Sequence, residues 1–77
     1  MPRYFFDVHD GTDLCDVVGR EIEDNEEILC AEALQVVTQL MRAETEDAKE
    51  AALVLTVRDE KGAIPLKIRL ACQVERL

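Results

Sequence analysis

Five side chains that carry proton- or metal-handling atoms fall within ten residues: Asp7, His9, Asp10, Asp13 and Asp16. A set of that kind could bind a divalent cation or run acid–base chemistry. A calcium loop needs oxygen ligands at alternating positions, a glycine sixth and a glutamate twelfth. Counted from Asp7, Gly11 is fifth and Val18 is twelfth, so that spacing does not match. A zinc site needs at least three convergent nitrogen, sulfur or oxygen ligands. One histidine among dispersed aspartates supplies candidates for such a site, and solvated turn residues are the plainer reading. His9 could also act as a general base oriented by Asp7, because residues two apart on a strand share a face. Side chains so placed seldom form a tight hydrogen bond, and the chain contains no serine to serve as nucleophile. The loop 7–16 therefore stands as the site of an alternative function, a metal-dependent or acid–base enzyme. The main reading is non-enzymatic.

The cysteines are Cys15, Cys30 and Cys72, an odd number without the spacing of a metal or redox motif. Cys15 lies among acids, which disfavour a thiolate. Cys30 and Cys72 fall on apolar faces and read as small hydrophobes. No motif points to a cofactor. Reduced thiols, a charged N-terminal region unlike a signal peptide, and no apolar run near the ~20 residues of a membrane span point to a cytoplasmic protein.

The net charge of −8 argues against nucleic acid and anionic membranes as partners, since both require a cationic footprint. The charge is also polarised. Residues 7–27 hold nine acids and one base, whereas residues 58–77 hold five bases and three acids. Protein partners, either a second copy or a basic partner, fit that distribution.

Positioning these groups requires secondary structure, and hydrophobic periodicity supplies the prediction. Residues 3–9 are aromatic and β-branched and read as a strand, with Tyr4, Phe6 and Val8 on one face. Asp10-Gly11 signals a turn. Residues 14–22 predict a second, irregular strand carrying Val17, Val18 and Ile22, interrupted at Gly19. Asp24 is the expected helix N-cap, with Glu27 at the reciprocal capping-box position. Leu29, Cys30, Ala33, Leu34, Val36, Val37, Leu40 and Met41 form an apolar arc of roughly 160°. The helix is expected to reach about Thr45, and Ile28 lies off its stripe. The charged run 44–50 is expected to be its end or the following loop.

Residues 52–58 and 63–76 predict a hairpin around Asp59–Gly62, a turn with glycine last. Alternation places Val57 opposite Ile64, Leu55 opposite Leu66, and Leu53 opposite Ile68. Pro65 cannot donate to a ladder and is expected at an edge or bulge.

Together these elements predict one α+β domain over residues 1–77. Its order is ββαββ, a mostly antiparallel four-stranded sheet with one amphipathic helix on one face. A single helix leaves the other sheet face uncovered. Phe5, Val54, Thr56, Lys67, Arg69 and Ala71 are expected there. That face is the candidate partner-binding surface, and a homodimer is the simplest use of it. An aromatic and basic sheet face can also bind RNA, but one aromatic and a negative chain fit that poorly.

The opening Met1-Pro2-Arg3-Tyr4-Phe5-Phe6, the Asp10-Gly11 turn and the Asp16/Gly19/Glu21 segment resemble an uncharacterised family of small bacterial proteins. Ala31 and Ala33 in the helix and the Asp59–Gly62 turn complete the pattern. The resemblance implies the same fold and no assigned activity. The order of strand, turn, glycine-containing segment and acid-capped helix is also similar to HicB-like antitoxins. That likeness implies an acidic binder of a small basic RNA-cleaving toxin.

Overall fold

The structure is a computed structural model that describes residues 1–44 and 50–75. Its elements in chain order are β1 (Arg3–His9), β2 (Asp13–Leu14), β3 (Arg20–Glu21), α1 (Glu26–Glu44), β4 (Glu50–Asp59) and β5 (Leu66–Gln73). The class is α+β, as the periodicity predicts. The irregular second strand is in fact two short ones, so the sheet has five strands in place of four.

The sheet runs β2-β1-β4-β5, with β3 also pairing β1, and every pairing is antiparallel. β2 meets the C-terminal end of β1 (Val8 opposite Leu14) and β3 meets its start (Tyr4 opposite Arg20). Residues 15–19 loop out between them. Val17 and Val18, expected in a strand, sit in this loop at 84% and 73% exposure. Only Ile22 from that segment reaches the core.

β4 is central and supplies Leu53, Leu55 and Val57, all buried. Full burial of each such side chain contributes ~1.5–3 kcal/mol, so β4 anchors the core. Tyr4 and Phe6 of β1 join it from one side. The helix lies across β4 and β5 and contributes Leu29, Ala33, Val37 and Met41, one residue every four. That stripe is narrower than the predicted arc. Leu34 and Leu40 stay 45% and 37% exposed, because one helix resting on a sheet buries only the line of side chains that points straight down.

The helix cap also differs from expectation. Asn25, not Asp24, is the N-cap: its Oδ1 accepts the amides of Glu27 (2.9 Å) and Ile28 (3.2 Å). Glu26 and Glu27 then occupy the first turn, where the helix dipole favours acids. Thr45 and most of the charged run 44–50 lie outside the described residues. Glu44 closes the helix and Glu50 opens β4.

The β4–β5 hairpin keeps the predicted face but shifts by two residues. Val57 pairs with Leu66, Leu55 with Ile68, and Leu53 with Leu70. Asp59 is the reason. Its Oδ1 accepts the amides of Lys61 and Ala63, both at 2.9 Å, and its own amide donates to the Ala63 carbonyl. The turn therefore consumes Ala63, and the Pro65 nitrogen has no hydrogen to extend the ladder. β5 begins only at Leu66, and Ile64 is left 54% exposed.

Candidate functional site

On the sheet face opposite the helix, cross-strand neighbours form rows. His9, Val54 and Arg69 make one, and Asp7, Thr56 and Lys67 the next. Phe5 stands opposite Arg58 in a third. The residues expected on this face are therefore all there, with Val54 and Thr56 half-buried and Lys67, Arg69 and Ala71 exposed.

Around Arg58 the face is tightly organised. The guanidinium donates from Nε to Asp7 Oδ2 at 2.7 Å and from Nη2 to Asp7 Oδ1 at 3.3 Å. Nη2 also reaches the Asp16 carbonyl at 2.9 Å and Cys15 Sγ at 3.6 Å. Its central carbon lies 4.8 Å from the centroid of the Phe5 ring, a cation–π distance. The opposite side of the sheet carries a similar contact, Arg20 over Phe6.

Asp16 completes the arrangement. Its Oδ1 accepts the amides of Val18 (3.1 Å) and Gly19 (3.0 Å), and its Oδ2 accepts the amide of Phe6 (3.1 Å). The Asp16 amide in turn donates to Asp7 Oδ1 at 2.9 Å. Where β2 and β3 leave a gap along β1, the Asp16 carboxylate takes the place of a strand as partner of the Phe6 amide. Gly19 makes this possible. Its φ is +71°, and a Cβ there would lie 2.9 Å from the Phe5 ring and from the Tyr4 carbonyl.

Both carboxyls titrate below the ordinary aspartate value. For Asp7 the main cause is the hydrogen bond from Arg58. For Asp16, burial pushes the value up, and the amides of Gly19, Phe6 and Val18 outweigh it. The same Asp7 contact raises Arg58.

The acidic candidates therefore separate. Asp7 and Asp16 join the Arg58 knot. His9 Nδ1 pairs with Asp13 Oδ1, not with Asp7, across the β1–β2 hairpin. Asp10 accepts the Thr12 amide within its turn. A shallow depression of about 240 Å³ is lined by Asp7, Val8, His9, Asp13, Cys15 and Thr56. Yet no group of three His, Cys, Asp or Glu side chains among the described residues is arranged to hold a metal ion. His9 Nδ1 is engaged by Asp13 and Cys15 Sγ by Arg58. Cys15 is exposed and adjoins a cation as well as acids. Cys30 and Cys72 are half-buried.

Arg58 is the residue that sequence reasoning missed. Its signal was present in part: it shares a face with Thr56 and is the one base within β4, but its place opposite Phe5 was not. Which strand would lie beside β4 could not be read from periodicity.

A second feature lies on the helix side. A groove of about 240 Å³ runs between the start of α1 and β5, lined by Glu26, Glu27, Leu29, Cys30, Pro65 and Leu66. No helix among the described residues is long and apolar enough to cross a membrane. No curated protein and no solved structure matches the chain, so the likeness to HicB-like antitoxins gains nothing from those comparisons. A family model does match, over residues 3–71, which include β1, the Asp16 knot, the helix and most of the closing hairpin. On that match the chain belongs to the family described as Domain of unknown function (DUF6894).

Proposed function

We propose that this domain is a non-enzymatic protein-interaction module that self-associates. One observation carries the reading. The outer edge of β5 is paired by no described strand and is bordered by apolar side chains that the helix covers only in part. Leu66, Ile68, Leu70 and Cys72 are half-buried, while Leu34, Ile64 and Val74 are 45%, 54% and 52% exposed. An open edge with that border is a template for another chain.

The groups best equipped for chemistry support the same conclusion. Asp7, Asp16 and Arg58 are occupied with one another and with the backbone of their own loop. The radius of gyration, 13.5 Å, exceeds the ~11.5 Å of a compact domain of this length, so the monomer leaves extra surface to cover.

Light scattering across a range of protein concentrations tests the proposal, alongside affinity capture from the native cells. A rise in mass with concentration is expected. A strict monomer that captures no partner would overturn it.

A further inference from the structure

We infer that the occupant of the β5 edge is a second copy of this chain, paired antiparallel, β5 to β5, about a two-fold axis at Leu70. This rests on the self-association reading above and names its interface.

Residue spacing within β5 fits a second copy of the chain and narrows its register. Helix-side residues must oppose helix-side residues, which admits only registers that differ by steps preserving that face. Centring the axis on Ile68 sets Lys67 against the partner's Arg69. Centring it on Arg69 sets that residue against itself. Like charges directly opposite are unfavourable. An axis at Leu70 removes both conflicts, because Arg69 then faces the partner's Ala71, and Lys67 faces the partner's Gln73.

The apolar side fits the same axis. Leu70 meets the partner's Leu70, Ile68 meets the partner's Cys72, and Leu66 meets the partner's Val74. That last pair joins two features the monomer leaves open. Val74 is 52% exposed, and Leu66 borders the groove of about 240 Å³ that Pro65, Leu29 and Cys30 also line. The partner's Val74 enters beside that groove, and by symmetry Val74 does the same in return. Moving the axis to Ala71 also avoids those conflicts and sets Lys67 against the partner's Glu75, but it carries Val74 away from the groove, opposite the partner's Ile68.

The helices face the same way. Glu32 reaches Arg20 of β3, which marks one flank of α1 as the β1 side. Cys30 borders Pro65 and Leu66, which marks the other as the β5 side. Leu34 follows Cys30 by one helical turn and lies on that flank, 45% exposed. The paired sheets bring the two Leu34 flanks toward the axis.

Sedimentation equilibrium on the full chain tests the interface. Wild type is expected to be a concentration-dependent dimer. Ala71→Arg, on the exposed face, should weaken it by about tenfold, since the two-fold places that residue opposite Arg69 twice. Ala71→Glu should tighten it, and neither change should alter the monomer's circular dichroism spectrum. Register is read separately by oxidation of variants whose three cysteines are replaced by alanine. Leu70→Cys should give a covalent dimer, and Ile68→Cys and Ala71→Cys should not. Cross-linking at position 68 or 71 instead of 70 overturns the register. A dimer indifferent to both Ala71 changes overturns the interface but leaves self-association standing, whereas a strict monomer that captures no partner overturns both.

Discussion

Along β1, the amide of Phe6 is held by the carboxylate of Asp16, while β2 and β3 close the strand on either side of it. Along β5, at the far end of the same sheet, no described strand pairs with the outer backbone. Both edges began with the same difficulty, a row of peptide groups that need partners. β1 meets it internally, with two short strands and one anchored loop. β5 keeps its ladder open beside half-buried leucine and isoleucine. The difference shows that the concentrated acid at the front of the chain is in part edge-sealing chemistry. Asp16, anchored by Asp7, occupies backbone donors there, whereas the outer backbone that no described strand pairs lies on β5, at the mildly cationic back.

That contrast can be broken by substitution. The largest effect should come from Gly19→Ala. A side chain at φ +71° is strained, and its Cβ would sit 2.9 Å from the Phe5 ring and the Tyr4 carbonyl. Together the two penalties should cost about 2–4 kcal/mol in urea unfolding, enough to threaten a domain of ordinary marginal stability.

Asp16→Ala should cost about 2 kcal/mol, because three amides lose a charged acceptor at once and only the exposed ones can turn to water. Asp16→Asn keeps one acceptor oxygen and should lose less. The difference between the two variants measures what the charge adds.

The pH dependence sharpens the same point. Asp7 and Asp16 titrate lower in the fold than the ordinary value of 3.8. On acidification the unfolded chain therefore takes up protons first. The stability they contribute is complete well above pH 3.8 and declines as pH falls through that value toward the lower folded ones. Urea midpoints measured from neutral pH downward should be level and then drop. Asp16→Asn should shallow the drop.

The smallest effect on folding belongs to the other edge. Ile64→Ser removes an exposed apolar group from the segment just before β5 and should change monomer stability by no more than about 0.5 kcal/mol. If Ile64→Ser destabilised the monomer as much as Asp16→Ala, the contrast between a sealed and an open edge would fail.

Much of this was legible in the residues. The alternation of Leu66, Ile68 and Leu70 with Lys67 and Arg69 assigned each to the correct face, because a two-residue period leaves no other choice. The strand at residues 3–9 and the helix body follow from equally strong patterns. The register of the closing hairpin was not legible. Moving by two residues preserves every face, so the pattern cannot distinguish such registers, and the decision passed to the Asp59 side chain and Pro65. The N-cap moved from Asp24 to Asn25 for a similar reason: both residue types can cap, and their spacing from the first buried turn differs by only one residue.

The sequence by itself determined which side chains are oily and at what period, and with them the three long strands, the helix and the two faces of the sheet. Tertiary structure alone decided that β1 would lie beside β4. That neighbourhood brought Arg58 onto Asp7 and Phe5 from a distance of some fifty residues along the chain. It also left β5 at the margin. Periodicity is a local property of the chain, whereas strand order depends on which long loops close to bury the most apolar surface, and no short window of residues contains that information.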